Sequence, residues 1–130
     1  MFRGLVVVIG VCMAACASER PGDWDYVYTA VIRPNCASSA CHSRTTKQSG
    51  LDLSTRERAY RSLVRRDCGS LESPKSSATG VNVDPGHPET SAVMYWLRGE
   101  YNQTMPPDFP LPTAEIDAVE RWILEGATCD

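Results

Sequence analysis

The chain alternates between apolar runs of different period, and those periods predict its elements. Residues 1–15 read MFRGLVVVIGVCMAA, with an apolar run from Gly4 to Ala15. From Trp24 the pattern turns helical. Trp24, Val27, Tyr28, Val31 and Ile32 fall at i, i+3, i+4, i+7 and i+8, which is one apolar stripe. Asp23 stands where an N-cap belongs, and Pro34 predicts the end of that helix. A second helix is predicted through Tyr60, Leu63 and Val64. Ser54 and Glu57 would form its capping box, and Arg65 and Arg66 suit its last turn. A third carries Val93, Met94 and Leu97 inward, with Thr90 or Ser91 as cap and Gly99 just past its end. The last has Ile116, Val119, Ile123 and Ala127 on one face, Thr113 as cap, Glu115 in its first turn and Gly126 at its end.

Between these stripes the chain is polar or stiff. Residues 67–88 are rich in Ser, Gly, Pro and Asp and read as a long loop, with one short extended piece at Val81–Val83. Residues 103–112 hold four prolines and cannot be helical. No repeat and no strong strand stands out. The fold class this predicts is all-α: one domain of about four short helices joined by long loops. Its aliphatic content is modest, so its core is expected to include something besides side chains.

The first run is an address rather than a helix of the fold. Arg3 gives a short positive region, and the twelve residues Gly4 to Ala15 are too few to span a bilayer, which takes about 20. Met13-Ala14-Ala15-Cys16 resembles a bacterial lipobox, in which the cysteine is lipidated and becomes the first residue. The plainer reading is a signal peptide cleaved after Ala15 or Ala17. On the first reading, residues 1–15 are a lipoprotein signal peptide, 16–22 a lipidated cysteine and polar tether, and 23–130 the domain. Acyl chains on Cys16 would hold it at a membrane in the cell envelope. Ala17 behind the cysteine favours the outer membrane by analogy with the sorting rule of enteric bacteria.

Composition narrows the class. The chain has 130 residues, a net charge of −3, and 22% charged against 42% hydrophobic residues. That excludes a disordered tail, and it leaves no overall basic excess for nucleic acid. Six cysteines point to an oxidising compartment or a bound cofactor, and the chain has just two histidines, His42 and His87.

The chemistry is concentrated in Asn35-Cys36-Ala37-Ser38-Ser39-Ala40-Cys41-His42. Two cysteines followed at once by a histidine is what covalent haem attachment needs. The thiols become thioethers to the vinyl groups, and the adjacent imidazole is held under the iron. The usual spacing leaves two residues between the cysteines, and here there are four. The small residues Ala37, Ser38, Ser39 and Ala40 suit the wider loop. Two other readings stand beside this one: a Cys36–Cys41 disulfide, or a zinc site with His42 and a fourth ligand.

Further fragments occur in order: Val31-Ile32-Arg33-Pro34, the cysteine–histidine segment, Gly50-Leu51-Asp52-Leu53, Asp84-Pro85-Gly86-His87-Pro88, Met105-Pro106-Pro107 and Trp122-Ile123-Leu124-Glu125-Gly126-Ala127. Together they resemble the small mono-haem cytochrome c domain of bacterial lipoproteins, over about residues 24–127. The resemblance implies a class I cytochrome c fold whose first and last helices cross, with one covalent haem c per chain. Its attachment residues would be Cys36 and Cys41, and its axial ligands His42 and a methionine in a proline-flanked loop, the place of Met105. Met94 and His87 compete for that second position, and an open iron is a further alternative. Trp24, Tyr28, Tyr60, Trp96 and Trp122 would line the haem or pack the helices. Arg33, Arg61, Arg65 and Arg66 would pair with propionates or stay solvated. With Cys12 removed, Cys16 lipidated and two cysteines on haem, Cys68 and Cys129 remain as an even pair for a disulfide.

The function so implied is a membrane-anchored, monomeric carrier of single electrons, meeting transient redox protein partners in the periplasm, rather than a catalyst. The alternatives are a haem enzyme or gas sensor with an open distal site, and a haem-free, disulfide-stapled lipoprotein serving as a binding or structural module.

Overall fold

The computed structural model describes residues 19–70, 72 and 81–130. Cys16 and the segment expected to be a lipobox, the apolar run before it and Cys12 lie outside the described residues. Among the described residues the fold is all-α, with four helices, connecting loops and no strand. None of those helices is long and apolar enough to cross a membrane.

Helix α1 begins as an α-helix over Trp24–Tyr26, widens into a π-helix over Val27–Ile32 and closes as an α-helix over Arg33–Cys36. Asp23 caps it by accepting the Tyr26 amide at 2.8 Å. Pro34 does not end the helix, contrary to the sequence expectation. The Arg33 amide bonds five residues back, to the Tyr28 carbonyl. Pro34 thus enters the first turn of a new α segment, where a missing N–H is tolerated. The Asn35 side chain donates to the Val31 carbonyl at 2.7 Å. The helix therefore runs unbroken to Cys36.

Helix α2 spans Arg56–Val64, and its cap is Thr55, not Ser54. The Thr55 hydroxyl accepts the Arg58 amide, while Ser54 turns back to the Asp52 carboxylate. Arg65 lies past the helix in a left-handed cap at φ 63°. Helix α3 spans Ala92–Arg98 and ends on Gly99 at φ 70°. Ser91 precedes α3 without capping it. It is fully buried and ties the preceding loop together through the His87 carbonyl and the Asp84 amide. Helix α4 spans Thr113–Leu124, so Thr113 is its first residue and Pro112 its cap position. The piece Val81–Val83 is not a strand. Its backbone instead joins Leu63 of α2 to the start of α3.

The core forms where α1 meets α4. Trp24 stacks on Trp122, and Tyr28 and Tyr60 close around Trp24. Val27, Val31, Val64, Val119 and Ile123 are fully buried beside them. Cys68 and Cys129 are bonded, with Cα atoms 5.6 Å apart, which pins the loop after α2 to the C-terminal tail. That tail is also held by three side chains of one region. Tyr60 donates to the Ala127 carbonyl, Arg56 to the Cys129 carbonyl and Arg66 to the Gly126 carbonyl.

Candidate functional site

The end of α1 delivers Cys36 straight into the predicted motif. The following loop is closed by its own backbone. The Cys41 amide bonds the Ser38 carbonyl at 3.0 Å, and the His42 amide bonds the Cys36 carbonyl at 3.1 Å. Residues Ala37–Ala40 thus bulge as one turn, and the chain returns to where it left the helix. Cys36, Cys41 and His42 are all half-buried. Both thiols are unpaired, so the disulfide alternative within the loop is not formed. Burial, with a smaller contribution from the charge of nearby Cys41, pushes the Cys36 thiol up to about 11.

His42 is held on both sides. Its carbonyl accepts the Leu53 amide at 2.8 Å, and its Nδ1 lies 2.9 Å from the Gln48 carbonyl oxygen. A carbonyl can only accept, so Nδ1 carries the hydrogen and the Nε2 lone pair is left for another partner. A backbone carbonyl on the second ring nitrogen is one of the acceptors by which metal-binding imidazoles are fixed, beside carboxylate and water. The Gln48 carbonyl is placed by the turn at Gln48–Gly50 and by the Gln48 amide on the Cys41 carbonyl. By residue type the stretch around Gln48 is simply polar. Main-chain acceptors leave no residue-type signal, so nothing in the sequence marks it.

Among the described residues no group of three or more His, Cys, Asp or Glu side chains is arranged to hold a metal ion. The zinc reading needs Cys36, Cys41 and His42 to converge on one point with a fourth ligand, and that arrangement is not present. Haem attachment makes no such demand. Its thiols reach the porphyrin periphery and a single imidazole reaches the iron. The donor set of two free thiols and one oriented imidazole fits covalent haem on chemistry.

The three candidates for a second axial ligand occupy different environments. Met94 is 1% exposed and part of the α3 core. His87 is exposed and pairs with Glu89 at 3.0 Å. Met105 is half-buried in the proline loop, and its amide bonds the Trp96 carbonyl at 2.9 Å. Trp96 packs on Tyr101, which also touches Tyr95, so Met105 follows a partly open aromatic group. Trp24, Tyr28, Tyr60 and Trp122 pack the helices instead. Of the candidate arginines, Arg61 pairs with Asp67 and Arg66 donates to Tyr60, whereas Arg33 and Arg65 are exposed.

The short segment before α1 is docked rather than loose. Glu19 pairs with Arg121 at 2.7 Å, Arg20 pairs with Glu115 at 3.3 Å, and Arg121 also donates to the Arg20 carbonyl. The comparisons with known proteins add no relative: no family model, no curated protein and no solved structure matches the chain.

Proposed function

We propose that this chain is a mono-haem c-type cytochrome that carries single electrons in the bacterial cell envelope, anchored there by a lipidated Cys16. The observation that carries the reading is the set formed by unpaired Cys36, unpaired Cys41 and His42 with its Nδ1 committed to the Gln48 carbonyl. Each thiol would add across a vinyl group, its sulfur bonding one carbon and its hydrogen going to the other. The bound group would supply one-electron iron chemistry. The chain's own contribution is orientation: the bulged loop places the thiols, and the Gln48 carbonyl fixes the imidazole. Met105 is the proposed second ligand. It is the one methionine of a proline-flanked loop, and Met94 is already committed to the core.

The test is expression with the cytochrome c maturation machinery, then haem staining of the denatured protein. A covalent haem signal is expected, lost in a C36S/C41S double variant. A wild-type protein without covalent haem overturns the reading. Globomycin sensitivity of processing and retention of a radiolabelled acyl chain test the anchor at Cys16 separately.

A further inference from the structure

The segment Glu19–Gly22 lies along one side of α4, and Arg121 is the centre of the contact. Its guanidinium pairs with Glu19 at 2.7 Å and donates to the Arg20 carbonyl. Its aliphatic stem lies on Gly22, where an added Cβ would stand 2.8 Å from the Arg121 Cγ. Nearly two turns earlier, Glu115 pairs with Arg20 at 3.3 Å and accepts the Tyr26 hydroxyl at 2.9 Å. An isolated exposed ion pair contributes little. Here two pairs share a backbone bond and a packed stem, and Glu115 and Arg121 are half-buried. Residues 19–22 therefore form a clamp with a fixed path on the domain.

The chain leading away from this clamp is short. Cys16 stands three residues before Glu19, so their Cα atoms can be at most about 11 Å apart even when fully extended. A lipid on Cys16 thus draws the clamp, and the helix under it, to the bilayer. Leu124 lies on α4 at i+3 from Arg121, a neighbour on the same face, and is 62% exposed. One exposed leucine means nothing by itself. Beside a clamp whose chain ends in an acyl anchor, it marks the side that meets lipid. The four clamp charges cancel, and the exposed Asp117 on this side has no ion pair among the described residues. No cationic excess pulls this face to anionic headgroups, so its orientation comes from the clamp. The Cys36–His42 loop stands at the other end of α1, up to about 18 Å from Trp24 at 1.5 Å per residue.

From this placement we infer that the α4 face carrying Arg121 and Leu124 is the membrane-facing side of the anchored domain. The clamp holds that face to the lipid surface and leaves the cysteine–histidine loop at the end remote from the anchor. The inference rests on the proposed acylation of Cys16.

The test is hydroxyl-radical footprinting of the envelope protein in phosphatidylcholine nanodiscs, compared with a soluble C16S chain exported behind a conventional signal peptide. Leu124 is expected to lose reactivity in the nanodisc, while Tyr101, in the aromatic group near Met105, keeps it. Nanodiscs containing phosphatidylglycerol should give the same pattern. The E19A/R20A variant, which alters no helix residue, is expected to lose the Leu124 protection while remaining acylated, and R121A should do the same. Circular dichroism and an intact Cys68–Cys129 bond establish that the variants fold. Equal Leu124 reactivity in the anchored and soluble chains overturns the proposal. So does stronger protection of Tyr101 than of Leu124, protection that needs phosphatidylglycerol, or protection unchanged in both clamp variants. Mass spectrometry of Cys16 in the same sample separates the claims. An acylated chain without Leu124 protection refutes the membrane-facing side alone, whereas a chain with no acyl group refutes the anchor and this role of the clamp with it.

Discussion

Trp24 and Trp122 stack with ring centroids 4.7 Å apart and planes 27° apart, so one aromatic contact joins the first helix to the last. The two indoles differ in one respect. Trp122 donates its Nε1 hydrogen to the Thr128 carbonyl at 2.7 Å, whereas the buried Nε1 of Trp24 has no partner among the described residues. Trp122 thus packs the core and holds the C-terminal tail.

That asymmetry predicts unequal substitution costs. W122A removes a large core side chain and leaves the Thr128 carbonyl unbonded, and it is expected to cost about 3–5 kcal/mol. W24F keeps most of the ring volume and removes an unpartnered donor, so its expected cost is below about 1.5 kcal/mol. Urea denaturation of both variants measures the difference. Equal losses would show that the tail contact contributes little.

The Cys68–Cys129 bond closes a separation of 61 residues. In the chain-entropy model such a loop contributes about 4 kcal/mol. A C68S/C129S variant is expected to unfold at lower denaturant by about that amount. The tail carbonyls should still be held by Arg56, Arg66 and Tyr60, so a folded state remains at neutral pH. Equilibrium unfolding with and without reductant checks both statements.

The Cys36 thiol makes stability of the haem-free chain depend on alkaline pH. Its value rises from an ordinary 9.0 to about 11 in the folded protein. Between those values the folded chain keeps the proton that the unfolded chain has lost. Stability from this group is therefore complete below pH 9 and lost as pH rises towards 11. A C36A variant should show a flatter decline than the wild type over that window. In the same window Cys36 should react with iodoacetamide more slowly in the folded chain than in the urea-unfolded chain, because thiolate is the reactive form.

For the haem-loaded protein, M105A is expected to abolish the sulfur-to-iron band of the oxidised state and lower the reduction potential, since a thioether favours Fe(II). M94A should leave that band in place and destabilise the fold by about 2–5 kcal/mol, as its side chain is core. Loss of the band in M94A but not in M105A would reassign the ligand.

Much of the fold was legible because burial imposes a period. The stripes Trp24–Ile32, Tyr60–Val64, Val93–Leu97 and Ile116–Ala127 all lie on observed helices or at their ends, with their large side chains inward. The caps were less legible. Ser54, Thr55, Thr90, Ser91 and Thr113 are interchangeable by type as hydroxyl acceptors of a cap, and a hydroxyl with a competing partner does not serve as one. Ser54 found Asp52, and Ser91 found the His87 carbonyl. Pro34 misled because its rule assumes an α-helical register, and the π-helical turn before it removes that premise.

The sequence alone determined the all-α class, the helix positions and the Cys36–Cys41–His42 spacing, because these follow from residue types at fixed separations. The Cys68–Cys129 pairing was an expectation that depended on the resemblance, and the bond itself is in the structure. The tertiary structure decided what depends on main-chain atoms and on distant partners. It set the Gln48 carbonyl on His42, the three side chains that hold the tail, and the docking of Glu19 and Arg20 on α4. Backbone carbonyls are the same at every residue, and a charge acquires neighbours only when the chain folds. Neither can be read from a one-dimensional pattern.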